Sequence, residues 1–308
     1  MGFFFTGINI STIFWFIVLV AALILINEAT RRSQKISMLF YIVVPIILIV
    51  LIATKTVQSP SSRTWFGTVK TFSALIGVWG FMAIRFTKIG KSKFTIYFPV
   101  AILSINIIEA VFRDFEVYAT YKTAIVDEAG VYMLGGIWNV MNGIAGIFLL
   151  LTLTGWVGIK VAKTKSKDMV WADQLWFWII AYDLWNVAYC YNCISTRAMY
   201  AGVALILSCT IAEFLLKKGV WLQHRAQTLA IFGMFSLAFD YQAFEGFSTV
   251  ASYNPAAWTA LSSIALIFNV GVFIYEIMVI VKYKRNPLKE EMYTHLKSYK
   301  ENIKVNNL

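Results

Sequence analysis

The sequence predicts an all-α membrane protein: a polytopic transmembrane helix bundle of about nine spans, N-terminus outside and C-terminus cytoplasmic. Three observations predict it. Of the 308 residues, 59% are hydrophobic and only 14% charged, whereas a soluble domain carries about 25% charged residues. One globular core cannot bury that much apolar surface, and a bilayer serves as its solvent instead. Apolar runs long enough to span about 30 Å of hydrocarbon recur along the chain. The basic residues between those runs alternate in number from one side to the other, as membrane orientation requires.

The runs fall at 10–27, 38–54, 65–86, 94–112, 134–159, 170–193, 198–216, 221–239 and 258–282. The first lacks a basic leader and an A-x-A cleavage site, so it reads as a retained span rather than a signal peptide. The eighth is the most polar, beginning with Gln223, His224, Arg225 and Gln227. Residues 1–283 form one transmembrane domain, and 284–308 form a charged tail with room for a short cytoplasmic or interfacial helix. Two connections are long, 113–133 and 240–257, and either has the length to fold over an outer mouth or to serve as an ordinary solvated link. With the N-terminus outside, 21 of the 27 basic residues lie on inside segments and 6 outside. The inside groups run from Arg31, Arg32 and Lys35 to the seven from Lys282 onward. The outside ones are Lys55, Arg63, Lys70, Arg113, Lys122 and Arg197. A miscount by one span would scramble this alternation. No internal repeat divides the chain into inverted halves.

The formal charge of +11 comes from short loops between apolar runs. It reads as topology and contact with the lipid bilayer, not as a nucleic-acid surface. Cys190, Cys193 and Cys209 are too few for a disulfide framework. Cys190 and Cys193 form a C-x-x-C, but without a second pair to relay electrons they read as small packing residues. With only His224 and His295 there is no histidine-rich metal site, and no H-E-x-x-H, G-x-S-x-G or phosphate-loop motif occurs. Nothing in the motifs indicates catalysis or names a cofactor.

Charge at mid-bilayer costs about 2.5–3.5 kcal/mol, so intramembrane polar residues have partners or purposes. The sixth run is the richest, with Trp176, Tyr182, Asp183, Asn186, Tyr189, Cys190 and Cys193. Its polar members share an arc of about 120°, which predicts a cavity lining or a tight polar interface. A carboxylate among aromatic faces suits a cation. In the fourth run Asn106, Glu109 and Arg113 project together, and Glu109 pairs with Arg113 in the simplest reading. Lys70, in the outer half of the third run, is either a counter-ion to Glu109 or Asp183 or snorkels to the surface. Asn139 and Asn142 project together from the fifth run, with Gly143 and Gly146 permitting close packing. Ser262, Asn269 and Glu276 are spaced by sevens in the ninth. The result is an outer layer of Lys70, Asn106, Glu109, Asn139, Asn142, Asp183 and Asn186. An inner layer holds Glu28, Arg85, Asp173, Glu213, His224, Arg225 and Glu276.

Three stretches carry a resemblance. They are Lys165-Ser166-Lys167-Asp168-Met169-Val170-Trp171 continuing to Tyr182-Asp183-Leu184-Trp185-Asn186, Trp138-Asn139 to Gly146, and Lys217-Lys218-Gly219-Val220-Trp221 to Ala226. Together they resemble a family of uncharacterised bacterial polytopic integral membrane proteins, along most of the chain. The resemblance implies a multi-pass bundle in the inner (cytoplasmic) membrane and no activity.

The functional expectation is a bacterial inner-membrane transporter or small-molecule-binding protein with an outward-facing polar and aromatic site. Asp183 would take a small cationic solute or a coupling ion, with Tyr182, Tyr189, Trp176 and Asn269 around it. Glu109 and Lys70 would gate or neutralise it, and Asn106, Asn139, Asn142 and Asn186 would orient the ligand. The alternatives are an integral membrane enzyme acting on a lipid or quinone, with a lateral opening near the reactive groups, and a receptor or structural partner without a continuous cavity.

Overall fold

The computed structural model describes residues 2–308. Nine helical rods follow one another among the described residues. They are α1 (Ile10–Arg32), α2 (Gln34–Ala53), α3 (Trp65–Phe86), α4 (Tyr97–Thr120), α5 (Ile137–Leu151), α6 (Trp176–Cys193), α7 (Ser195–Leu216), α8 (Trp221–Ala238) and α9 (Pro255–Tyr283). A tail helix, α10 (Lys297–Val305), follows. The rod positions track the apolar runs, because in a dry bundle each segment must satisfy its backbone internally. Six rods are long and apolar enough to cross a membrane: α1, α2, α3, α4 with the turn before it, α7 and α9.

Helix ends follow local chemistry. The Asn9 side chain accepts from the Thr12 amide and the Thr12 hydroxyl receives the Asn9 amide, a reciprocal cap. Asn254 caps α9 with Pro255 in the first turn, where a missing N–H costs nothing. Three bounds differ from the sequence reading. The fourth run continues as helix to Thr120, so residues 113–120 are not loop. The fifth helix stops at Leu151, and the sixth begins only at Trp176. Between them, Lys160–Val161 pairs antiparallel with Met169–Val170 in a short hairpin.

Besides a small apolar cluster under the tail around Val170, Val220 and Met292, two larger ones fill the bundle. One joins α4, α5, α6 and α9 around Ile107, Ala145, Trp185 and Ala265. The other joins α1, α2, α3 and α8 around Leu23, Tyr41, Leu75 and Met234. The outward faces keep large apolar residues exposed, among them Ile17, Leu25, Ile267 and Val281. Apolar outside and polar inside is the inverse of a soluble fold and fits lipid contact. Gly146 is required by this packing: a Cβ there would stand 2.4 Å from Val111 Cγ2 and 2.7 Å from Trp185 Nε1.

The loops gather at two ends. At one, the cap end, Phe5–Thr6 pairs with Val250–Ala251, and Ile125–Val126 pairs with Tyr132–Met133. At the other, the tail end, residues 284–308 dock on the bundle rather than trailing from it. The Asp173 carboxylate accepts the amides of Met292 (2.6 Å) and Tyr293 (3.1 Å). Asn302 donates to the Ala172 carbonyl at 3.1 Å, and Met292 and Tyr293 are buried.

Losing a hydrogen bond to a charged group costs about 1.5–3 kcal/mol, and proteolysis follows the opened population when opening is fast. Asp173→Ala is therefore expected to speed tryptic cleavage in the 285–300 segment about tenfold or more. Limited digestion of the purified protein checks this, and an unchanged rate would remove Asp173 as the anchor.

Candidate functional site

Polar groups inside the bundle fall into three clusters. The first closes the tail end. Asp168, on the short hairpin, accepts from Arg31 Nη1 of α1 (2.8 Å) and from Gln223 Nε2 of α8 (3.0 Å). Arg85 of α3 lies 3.6 Å from its other oxygen and also donates to the carbonyls of Arg31 and Ser166. Burial pushes the Asp168 carboxyl up. The Arg31 guanidinium, the Ser166 hydroxyl, Arg85 and Gln223 outweigh that and hold it below the ordinary carboxylate value.

The second cluster surrounds Asp114, which is 0% exposed. Asn139 Nδ2 donates to Oδ1 at 3.1 Å and Asn142 Nδ2 to Oδ2 at 2.7 Å. The Cys193 thiol donates to Oδ1 at 3.3 Å. Asn139 and Asn142 were expected to orient a ligand, but their amides are taken up by this carboxylate. Sequence reasoning placed Asp114 in a loop. The signal that would have found it is the stripe Leu103, Ile107, Ala110, Asp114, Val117, which keeps helical spacing and is buried throughout.

The third cluster lines a cavity of about 120 Å³ between α3, α6, α7 and α8, at the seam of the two apolar clusters. Its polar wall holds Lys70, Asn186, Tyr189, Cys190, Arg225 and, toward the cap end, Arg197. Lys70 Nζ donates to the Asn106 carbonyl (2.6 Å) and Asn106 Oδ1 (2.8 Å), with Glu109 at 3.6 Å. Lys70 is thus the counter-ion of Glu109 rather than a snorkelling residue. The expected Glu109–Arg113 pair does not form, because Arg113 turns to Glu116 at 2.7 Å.

Arg225 enters from α8 and is 4% exposed. Its Nε stands 3.4 Å from the Tyr182 hydroxyl and its Nη2 3.5 Å from Asn186 Oδ1, both long contacts. Its Nη1 has no partner. The inner layer was assigned this residue as a cheap interfacial charge. The length of the side chain carries its guanidinium to the level of Asn186 instead.

Arg197 latches the cap end. It donates to Gln242 Oε1 (2.8 Å), to the Ala129 carbonyl (2.7 Å) and to the Ser61 hydroxyl. Three loops are thereby tied over the cavity, all through uncharged acceptors.

Several predicted site residues lie apart from this cavity. Asp183 is buried against α7, where its Oδ2 accepts from the Thr210 hydroxyl at 2.7 Å, and it is not in the cavity wall. A cation-binding role for Asp183 is therefore unsupported by the geometry, since the charges facing the cavity are positive. Tyr182 contacts Arg225 from behind, with its ring centroid 5.9 Å from the guanidinium. Asn269 donates to the backbone of Ala181 (3.0 Å) and Ala265 (2.9 Å), a helix-to-helix tie. Trp176 is 60% exposed and belongs to an apolar groove between α6, α9 and α10. That groove lies at the far end of α6 from Cys190 and Cys193, so it does not present a lipid to them. All three cysteines are buried free thiols.

Rods of this length and apolarity, with a polar interior, define a multi-pass α-helical membrane protein. The chain belongs to a family of unknown function, DUF5692, whose profile matches residues 7–305. No curated protein matches the chain, and no solved structure does.

The tail-end cluster yields two expected outcomes. Asp168→Ala leaves Arg31 without its hairpin partner and Arg85 without its nearest carboxylate, and should cost about 3–5 kcal/mol. Because the folded carboxyl titrates below its unfolded value of about 3.9, its stabilisation is complete at neutral pH. It is lost as pH falls through the folded value, so a thermal-unfolding series from pH 7 to 3 should drop most steeply below about pH 4. Asp168→Asn should shallow that acid limb. An unaltered limb would exclude Asp168 as its source.

Proposed function

We propose that this protein binds or carries a small molecule through an intramembrane cavity, as a nine-span bundle in the inner membrane of a bacterial cell. Its N-terminus is outside, its tail is cytoplasmic, and the cavity opens toward the cap end, on the outer side. The observation that carries this reading is one cavity lined by polar side chains from four helices, running from the buried Arg225 to the partly exposed Arg197 latch. A bundle that needed only packing would fill such a seam with apolar contacts.

The orientation is supported by the basic residues. Arg31, Arg85, Lys160, Lys163, Lys217 and Lys218 gather at the tail end, and few lie at the cap end. Of the three shorter or more polar rods, α5 keeps Ile137, Ile144, Ile147 and Leu151 exposed, while α6 and α8 are largely buried among the others. The latter two need less hydrocarbon of their own because neighbouring helices shield them. An outward mouth also fits the chemistry of the two ends, since the cap end is held by hydrogen bonds from Arg197 to uncharged acceptors and the tail end by buried ion pairs.

Cys190 lines the cavity, whereas Cys193 and Cys209 do not. In a Cys193→Ala, Cys209→Ala background, a small membrane-impermeant thiol reagent applied from outside should modify Cys190 slowly. Arg197→Ala should speed that reaction about tenfold or more, because three hydrogen bonds to a charged group are removed. A Cys190 that stays unmodified in both proteins would sink the outward-opening cavity. For the orientation, green fluorescent protein fused after Leu308 should fluoresce and alkaline phosphatase fused there should be inactive. The reverse pattern would place the tail outside.

A further inference from the structure

We infer that the cavity is a site for a small organic carboxylate, an inference that rests on reading the cavity as a binding site. Three cationic side chains, Lys70, Arg197 and Arg225, line it, and no acidic residue does. Among the described residues, neither Arg197 nor Arg225 takes part in an ion pair. Only Lys70 has a carboxylate beside it, and Glu109 is outside the cavity wall. Buried charges are normally paired, because leaving one unpaired in a dry interior is costly. The missing charge on this surface is negative.

The free hydrogen-bonding capacity has the same sign. Arg225 Nη1 and the hydroxyls of Tyr189 and Tyr241 are buried at the cavity residues without partners. Arg225 Nη1 can only donate and both hydroxyls are able to donate, while an oxyanion is an acceptor only. The guanidinium fork is matched to the two oxygens of a carboxylate. Apart from the hydroxyl residues Ser61, Thr71 and Ser236, the rest of the wall is apolar and aromatic, with Phe66, Ile194, Leu205, Leu229 and Phe232. A volume of about 120 Å³ exceeds what a halide fills, since an engineered apolar cavity of about 150 Å³ holds benzene. A charged head on Arg225 and Lys70 and a short apolar body against these rings satisfy the whole lining.

Butanoate, butanamide, butylammonium and chloride, at matched ionic strength, separate the possibilities on the purified full chain. Two readouts are used: the rate of Cys190 modification in the background above, and the thermal unfolding midpoint. Butanoate is expected to slow Cys190 modification and to raise the midpoint, with butanamide and butylammonium doing neither. Lys70→Gln and Arg225→Gln should each weaken the butanoate effect about tenfold or more. Lys70→Gln keeps the test available if Arg225→Gln does not fold. Equal protection by butanamide or butylammonium overturns the carboxylate while leaving a binding cavity in place. Chloride matching butanoate overturns the organic body. A reactive Cys190 that none of the four protects also overturns the inference. A Cys190 unreactive even with Arg197→Ala removes the cavity reading and this inference together.

Discussion

The Asp168 carboxylate sets the geometry on which the rest of this bundle depends. In a water-poor interior a charge must find its partners within the protein. Asp168 does so from three directions at once, drawing in Arg31 from α1, Arg85 from α3 and Gln223 from α8. That fixes the tail-end spacing of three helices from the same packing cluster. Two of them, α3 and α8, then run toward the cap end carrying Lys70 and Arg225. The cavity lies between these two residues, so its position follows from an ion pair near the opposite end of the same helices.

The polar groups of the interior divide into those that are closed and those that are open. Asp114 is closed by neutral donors, two amides and a thiol, which suits a carboxylate far from any strong cation contact. Asn192 Nδ2 donates to Ser262 at 2.9 Å and Asn269 Nδ2 donates to backbone, each leaving an Oδ1 unpartnered away from the cavity. Such ties hold helices together without presenting anything to a ligand. Arg225 differs, because its contacts are long and one nitrogen is free. The Tyr189 and Tyr241 hydroxyls in the same wall are also unpartnered, whereas the remaining unpartnered atoms, Asp183 Oδ1 and Trp185 Nε1 among them, belong to side chains outside it. Burial of a polar side chain therefore does not identify a site. An open donor beside empty volume is the more discriminating feature.

This distinction explains what could be read from the sequence. Helix positions were legible because hydropathy and backbone satisfaction act locally. The sevens of Ser262, Asn269 and Glu276 were legible as one buried face, and each has its partner on a neighbouring segment. Which polar residue meets which was not legible, because that depends on how the rods are rotated and which become neighbours. Asp183 and Asn186 lie three apart on α6, yet Asn186 faces the cavity and Asp183 faces Thr210. Trp176 shares a helix with both but sits at its exposed tail-end turn. Asp114 was hidden by its charged neighbours Arg113 and Glu116, which resemble a loop in composition although the helical phase continues through them.

The two ends of the cavity are closed by unequal means, and this decides which of them can open. Separating Asp168 from Arg31 and Arg85 strips buried charges of their partners, a cost of about 3–5 kcal/mol for such a pair. Releasing Arg197 exchanges three uncharged acceptors for water at a partly exposed position, where solvent takes over the bonds as they break. The tail adds a second layer over the tail end, anchored on Asp173 and on the hairpin beside Asp168. The proposed entry is therefore from the cap, where loops rather than packed helices would have to move. On the proposed reading, a solute arriving there would meet Arg197 first, then the aromatic walls, and reach Arg225 and Lys70 last. The positive charges lie along one route, and the deepest of them has the least satisfied hydrogen bonds.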